Sequence, residues 1–485
     1  MSKFYITTTL PYVNAPPHIG FALEIIQADI IARYHSSLGD EVFFNTGTDE
    51  HGLKVYQKAI QEKKDPQKYC DEYVARFDLL KKKLNLSYNN FIRTTDKHHI
   101  KAAQEFWKIC EANGDIYKKN YKIKYCVECE LEKTESELVD GKCPIHPNRE
   151  VEIIEEENYF FRFSKYQQPL LDLYDKNPNF IIPKHRQKEI YNFVKKGLKD
   201  FSISRLKSKM PWGITVPGDE SQVMYVWFDA LINYISCLGW PEDKKKFESF
   251  WGTKNKPKAI QVAGKDNLRQ QAAMWQAMLL SAGLPNSKQI FIHGFINLEG
   301  RKVSKSAGMV LPNPIELVDK YGIDAVRYYL LREIPAYEDG DFSIQKLEER
   351  YNADLANGLG NLTARILTLV IKNNIKSEEP KKEILKLIEE TKKDYTKAIE
   401  EFEFNRALES IWKLISFCDG YIEKNKPWGV TDKKKLEQIL SNLLYCISEI
   451  ADLIAPFLPA TSEKIKSQIK SGKLKILFPR ILLNY

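Results

Sequence analysis

A chain of 485 residues is too long for one ordinary hydrophobic core, so two to four domains are expected. Its 43% hydrophobic and 12% aromatic content excludes wholesale disorder, and no apolar run is long enough to span a bilayer. The net charge of +8 suits an acidic partner such as RNA, although much of it is Lys on solvated helix faces.

The N-terminus, MSKFYITTTLPYVNAPPHIG, lacks the apolar centre of a signal peptide and the Arg/Ser character of a transit peptide, so a cytoplasmic protein is expected. FYITTTL alternates as a strand from Phe4 to Leu10 and stops at Pro11. After a loop containing Asn14, Pro16 and Pro17, the residues Ile19, Leu23, Ile26, Ile30 and Tyr34 recur at helical spacing up to Gly39. VFFNTG (42–47) reads as a second strand, ending at Asp49, Glu50 and His51. Strand, helix and strand at this spacing make one half of a doubly wound, Rossmann-type parallel sheet in an α/β fold.

The second half comes much later. VMYVWFDALINY, AIQVAGKDN and QIFIHGF read as strand-type runs between helical segments. The expected organisation is therefore a first sheet half over 1–112, a connective insertion over 113–210 and a second sheet half over 211–295. A linker over 296–345 holds the basic loop NLEGRKVSKSAG, and a helical bundle fills 346–485. Apolar positions such as Leu355, Leu359, Leu362 and Ile366 support that bundle.

Within the insertion, Cys126, Cys129, Cys143 and His146 form the pattern C-x2-C-x13-C-x2-H. Three thiolates and one imidazole make a closed tetrahedral donor set, that of one structural Zn2+. Ligands of open α/β sheets bind at the carboxyl ends of strands, where the strand order reverses, and His18-Ile19-Gly20 falls there. Free backbone N–H groups at a helix start favour phosphate, and Gly20 removes a Cβ where a nucleotide ring could lie close. Alone, His18 reads better as a residue that closes the helix. Lys302-Val303-Ser304-Lys305-Ser306 presents two ammonium groups between Gly300 and Gly308, a loop able to close on a triphosphate. In isolation that pentamer reads as a solvated loop.

In this order, the two stretches resemble the HIGH and KMSKS signatures of class I aminoacyl-tRNA synthetases, with Phe21 for the second His and Val303 for Met. TTTLPYVNAPPHIG, GTDEHG, YVWFDALINY, GKDN and HGFINLEGRKVSKS resemble methionyl-tRNA synthetases across the catalytic half. NADLANGLGNLTAR and KNKPWG resemble that family's anticodon-binding helices.

The resemblance implies a methionine–tRNA ligase. Methionine and ATP would give methionyl-adenylate and pyrophosphate, and the 2′-hydroxyl of the terminal adenosine of tRNA(Met) would then take the methionyl group. Asn14, His18, Gly20, Glu24, Lys302 and Lys305 would bind ATP, Glu24 at the ribose. His18, Lys302 and Lys305 would be catalytic, and Mg2+ would travel with the triphosphate. Leu10, Tyr12, Asp49, Trp227, Leu231, Tyr234, Asn267, Gln271 and Trp275 would hold methionine, with Asp49 on its ammonium group. Asn267 and Gln271 stand where the family usually carries Ile and His. Asn361, Arg365 and Trp428 would read the anticodon, and the zinc knuckle would hold the insertion over the entry of the tRNA acceptor end.

One rival is a synthetase for another aliphatic amino acid. Such enzymes need a large editing domain, because one methylene discriminates by only about 1–3 kcal/mol. The insertion, roughly a hundred residues long, is too small for that domain. The other rival is a non-catalytic relative that binds tRNA or nucleotide. The chain stops soon after the bundle, without the appended domain through which some relatives dimerise, so a monomer with no membrane partner is expected.

Overall fold

The computed structural model describes the chain except residues 15, 129–130, 134–136, 299–300, 303–311, 376–377 and 483–485. β1 (Lys3–Thr8) is shorter than its alternation suggests and is buried on both faces, as a central strand of a parallel sheet must be. The helix α1 (Ile19–Ser37) crosses back over it. All five apolar positions read from its spacing are buried, and so are its polar residues Glu24, Gln27 and Asp29. β2 (Glu41–Thr48), α2 (Pro66–Leu84), β3 (Asn90–Arg93) and α3 (Lys97–Ala112) follow. α2 is bounded by its caps: Asp65 accepts from two backbone N–H groups at its start, with Pro66 beside it, and Asn85 closes it in a left-handed conformation.

The insertion opens with β4 (Ile116–Cys126), β5 (Leu131–Lys133) and β6 (Glu152–Phe161). With β8 (Phe201–Ser202) they form an antiparallel sheet in the order β5-β4-β6-β8. Between β6 and β8 lies β7 (Ile181–Ile182), which leaves that sheet altogether. It pairs in parallel with Ile290 and Phe291 of the main sheet. Part of the stretch expected as an insertion therefore supplies the main sheet's edge strand.

VMYVWFDALINY is another departure. Its strand ends at Met224, and the rest is helical, as α4 (Val226–Ala230) and α5 (Asn233–Ser236). The run looks strand-like because it is aromatic and apolar, yet Asp229 and Asn233 in it are buried and hydrogen-bonded to groups elsewhere in the fold. β9 (Ile260–Gly264), α6 (Trp275–Ser281) and β10 (Gln289–His293) complete the core. The six strands run parallel in the order β3-β2-β1-β9-β10-β7, so the winding reverses between β1 and β9. Register keeps the ends level: Thr8 lies opposite Val262, and Gly264 opposite His293.

Beyond the sheet, α7 (Ile323–Arg332) leads to a bundle of α8 (Asn361–Lys372), α9 (Lys382–Glu400), α10 (Phe404–Asn425), α11 (Lys433–Leu453) and α12 (Pro459–Ser471). One hydrophobic cluster runs from α1 into this bundle without a break. No helix among the described residues is long and apolar enough to cross a membrane.

Inside that cluster sits Arg327 of α7, fully buried. It pairs with Asp29 of α1 at 2.7 Å and donates to the carbonyls of Leu84, Pro456 and Phe457. Burial would raise the Asp29 carboxyl, but the charges of Arg327 and Arg33 hold it below the usual range. Arg327→Met strands that carboxylate, so it should cost about 3–5 kcal/mol of stability. The cost is read as a lower urea midpoint, and an unchanged midpoint would show that the pair contributes nothing net.

Candidate active site

A cavity of about 390 Å3 opens at the carboxyl ends of β1, β2, β9 and β10, where the winding reverses. One end is lined by Asn14, His18, Gly20 and Phe21, and the other by Tyr12, Asp49, Trp227, Leu231, Tyr234 and Gln271. Leu10, Glu24 and Asn267 also line it.

His18 caps α1, as the plainer sequence reading expected. Its Nδ1 accepts from the backbone N–H of Gly20 at 3.1 Å and of Phe21 at 3.4 Å. A ring nitrogen that accepts carries no proton, so the neutral imidazole holds its proton on Nε2 and presents a donor there. Gly20 has a local reason to be glycine. A Cβ would sit 3.0 Å from the His18 ring, and Gly20 also lines the cavity. Phe21 packs edge-on against Phe77 of α2, with ring centroids 5.6 Å apart.

Glu24 is buried and fully engaged. One oxygen accepts from the backbone N–H and the hydroxyl of Thr9, at 2.8 and 2.5 Å. The other takes the Gly264 N–H and lies 3.1 Å from His293 Nε2. A carboxylate offers about four lone-pair sites, so a ribose hydroxyl would have to displace one of these donors.

Past the end of β1 the chain stays beside β2. Tyr12 and Asp49 bridge in parallel, with Val13 N–H on the Asp49 carbonyl at 3.2 Å and Asp49 N–H on the Pro11 carbonyl at 3.0 Å. That bridge brings an aromatic ring and a buried carboxylate to the same wall. The two residues after Asp49 face elsewhere. Glu50 takes Arg93 bidentately at 2.7 and 2.9 Å, and His51 Nδ1 lies 2.7 Å from Asp229. His99 holds the other Asp229 oxygen at 2.8 Å. Burial would raise the Asp229 carboxyl, yet His51 and His99 keep it below its ordinary value. Asp229 thereby anchors α4, and Trp227, Leu231 and Tyr234 then fall at intervals of four and three on one helical face towards the cavity.

Trp275 is not in the wall. It is fully buried one layer behind, with its ring 5.9 Å from that of Tyr234. Gln271 reaches the wall from a π-helical turn over Gln270–Met274, and donates to the Tyr234 hydroxyl at 2.7 Å. Lys54, Asp266 and His293 line the cavity without having been expected there. His293 stands in the motif stretch HGF, whose other residues drew attention first, and Lys54 lies two residues beyond GTDEHG.

Lys302 belongs to a short strand paired with Asn297, and Lys305 lies outside the described residues. In the knuckle, ligand atoms of Cys126, Cys143 and His146 lie within 4.8 Å of one another, and Cys129 is outside the described residues. Two buried thiols converging on an imidazole fit zinc chemistry. The knuckle abuts the cavity: Lys54 Nζ contacts the Glu128 carbonyl, and Tyr125 and Val127 pack with Tyr12 and Trp227.

In the bundle, Trp428 is 59% exposed on the turn after α10. Asn361 is exposed at the start of α8. Arg365, one turn on, pairs with Asp419 at 3.2 Å and Glu423 at 2.6 Å on α10. Burial and Glu423 raise the Asp419 carboxyl against the pull of Arg365.

Burial alone would lower the His293 pKa, but Glu24 raises it above its ordinary 6.5. Stability from this pair is complete below the unfolded value and is lost as pH rises through the folded one. Glu24→Gln should lower the His293 titration seen by ring-proton NMR and remove that pH dependence of stability. An unshifted titration would mean the contact is not felt.

Known proteins resemble this chain over nearly its whole length. The family described as tRNA synthetases class I (M) matches residues 4–152 and 147–367, and the anticodon-binding domain of tRNA ligase matches 381–479. The methionine–tRNA ligase of Thermotoga maritima is 42% identical over 478 residues, covering 96% of this chain and 74% of that protein. That of Brucella suis is 41% identical over 475 residues, covering 96% and 91%. Mycobacterium tuberculosis methionyl-tRNA synthetase in complex with methionyl-adenylate superposes with a TM-score of 0.92 at 35% identity, covering 99% of this chain and 100% of that one. Its apo form superposes with a TM-score of 0.85 at 32% identity, covering 100% and 99%.

Proposed function

From the premise that the chain belongs to the methionyl-tRNA synthetases of class I, we propose how its own residues carry that family's reaction. Its activity is that of a methionine–tRNA ligase, which activates methionine with ATP as methionyl-adenylate and charges tRNA. One observation carries the residue assignment. A single cavity at the switch point joins a helix N-terminus capped by His18 to a carboxylate and aromatic wall at Asp49, Tyr12, Trp227 and Tyr234.

ATP lies at the α1 end, with Asn14 and Gly20 beside the nucleotide. The methionine ammonium meets Asp49, and its carboxylate attacks the α-phosphorus in line while pyrophosphate leaves. No covalent enzyme intermediate is needed, so the chain supplies positioning and charge stabilisation. His18 Nε2–H donates to the α-phosphate as charge grows there, and Lys302 and Lys305 neutralise the triphosphate. Mg2+ bound with ATP would supply further charge neutralisation. Glu24 acts through the strand ends and His293 rather than on the ribose directly, because its four acceptor sites are filled.

The side chain lies among Leu10, Tyr12, Trp227, Leu231 and Tyr234, with Asn267 at the rim and Trp275 backing Tyr234. Aromatic faces and a hydroxyl suit a polarizable thioether. The 2′-hydroxyl of the terminal adenosine of tRNA(Met) then attacks the activated carbonyl, and AMP leaves. Cys126, Cys129, Cys143 and His146 would hold one zinc, which fixes the turn that Lys54 grips at the cavity rim. This reading includes a cytoplasmic monomer.

His18→Ala should lower methionine-dependent ATP–pyrophosphate exchange by about 10²–10³ in kcat, the scale of one preorganised donor, with methionine Kd little changed. Equal losses in Kd and rate would contradict the assignment.

For tRNA, Trp428 offers a stacking face, with Asn361 and Arg365 as polar readers of the unstacked CAU bases. Arg365 reaches a base only by sharing or leaving Asp419 and Glu423. Stacking one base on such a ring contributes about 1–3 kcal/mol, so Trp428→Ala should cut tRNA aminoacylation roughly 10–100-fold and spare exchange. Loss of exchange as well would make Trp428 a packing residue.

A further inference from the structure

Behind the methionine end of the cavity runs a buried file of side-chain amides and hydroxyls whose order is set by the backbone. Gln276 is fully buried. Its Oε1 accepts the Ser287 backbone N–H at 3.1 Å, and its Nε2 donates to the Gln271 backbone carbonyl at 3.0 Å. An amide N–H can only donate and a carbonyl can only accept, so the orientation of this first amide has no alternative. The same Nε2 donates to Ser287 Oγ at 3.1 Å. Ser287 is buried, and Gln261 Oε1 is the acceptor its hydroxyl proton meets. Turning the Gln261 amide round would leave that proton without an acceptor among the described residues, at a cost of about 1–3 kcal/mol. Gln261 Nε2 therefore donates to Gln271 Oε1 at 3.0 Å, and Gln271 Nε2 donates to the Tyr234 hydroxyl at 2.7 Å.

Every link points the same way, towards Tyr234. The phenol accepts from Gln271 inside the protein and is also hydrogen-bonded with the Asn233 side chain, both in the sense that favours the phenol oxygen as acceptor, so its own proton turns to the cavity that it lines. Its acid strength is not the device: burial pushes the Tyr234 pKa well up, so the hydroxyl stays protonated.

We propose that Ser287 and Gln261, neither of which lines the cavity, are specificity-determining positioning residues that commit Tyr234 to donate a hydrogen bond to the substrate side chain. The proposal rests on the methionine-pocket reading above. A committed donor favours a side chain with an acceptor at that point, such as the thioether sulfur of methionine. It disfavours one with a methylene there, as in norleucine, since a buried donor would then go unmet. Gln271 is the last link of this file.

The test is the ratio of kcat/KM for methionine to that for norleucine, in ATP–pyrophosphate exchange with the full chain. Tyr234→Phe should lower the ratio about tenfold, the scale of one neutral hydrogen bond. If it does not, the pocket reading itself fails. Gln261→Met keeps the side-chain length but breaks both links, so the Gln271 amide loses the donor that orders it and the phenol keeps only its Asn233 contact. It should lower the ratio several-fold mainly through methionine, and add nothing further in the Tyr234→Phe background. Ser287→Ala, a smaller change that keeps the test open should Gln261→Met fail to fold, should act in the same direction. A normal Tyr234→Phe effect with unchanged ratios in Gln261→Met or Ser287→Ala would overturn the relay. So would equal losses for both amino acids, or additive effects in the double variant.

Discussion

A single buried carboxylate holds the cavity together. Glu24 sits one turn into α1 and collects donors from the ends of three parallel strands: Thr9 beyond β1, Gly264 at the end of β9 and His293 at the end of β10. The last residues of a parallel sheet carry polar groups that no neighbouring strand can satisfy. In this chain the helix, rather than water, satisfies them. Buried carboxylates are tolerated when every lone pair is used, and this one is. The cost of burying the charge is offset by the geometry it enforces, since α1 cannot rotate or slide without breaking four hydrogen bonds. His18, five residues before the fully buried Leu23, is therefore held in one place relative to the strand ends.

The same helix is pinned a second time, five residues further on. Asp29 meets Arg327 Nη2, which also donates to the Pro456 carbonyl, while Nη1 and Nε donate to the carbonyls of Leu84 at the α2 terminus and of Phe457. An arginine with no exposed surface needs its donors met, and here three chain segments meet four of the five N–H groups. α1 thus has its N-terminal part fixed by Glu24 and its middle fixed to α7 by Asp29. The continuous apolar cluster around it means that the sheet and the bundle share one core.

Much of this was legible in the residues, and the failures have physical causes. The spacing of Ile19, Leu23, Ile26, Ile30 and Tyr34 gave α1 because a helix buried against a sheet keeps an apolar stripe whatever its other faces carry. β7 escaped because two residues carry no periodicity, and its pairing with β10 is a tertiary event. The stretch after Met224 was misread because aromatic residues suit strands and helices alike when buried; the buried Asp229 and Asn233 were the discriminating signal. At the site, the ordered motifs brought Tyr12, Asp49, Trp227, Leu231, Tyr234 and Gln271 to one wall. Which aromatic faces the ligand and which backs it up was not legible, since Trp275 and Tyr234 differ only in depth. Nor could the sequence tell that the acceptors of Glu24 were already occupied, because its partners come from three distant segments.

The departures from the family's signatures become intelligible in this setting. Where a second histidine would stand in the HIGH stretch, Phe21 packs against Phe77 and joins the apolar wall below α1. A phenyl ring offers no hydrogen-bond donor, and the Gly20 and Phe21 N–H groups are already spent on His18 Nδ1. The capping role of His18 is then part of its chemistry. By spending Nδ1 on the helix N-terminus, it fixes both the tautomer and the plane of the ring, and Nε2–H is oriented before any ligand arrives. Tyr234 follows the same logic, since the Gln271 amide, itself met by Gln261, donates to the phenol oxygen. In both cases a group that lines the cavity has its donor character set by a hydrogen bond made on its other side. That arrangement places the reorganisation cost in folding rather than in the reaction, which is what electrostatic preorganisation requires.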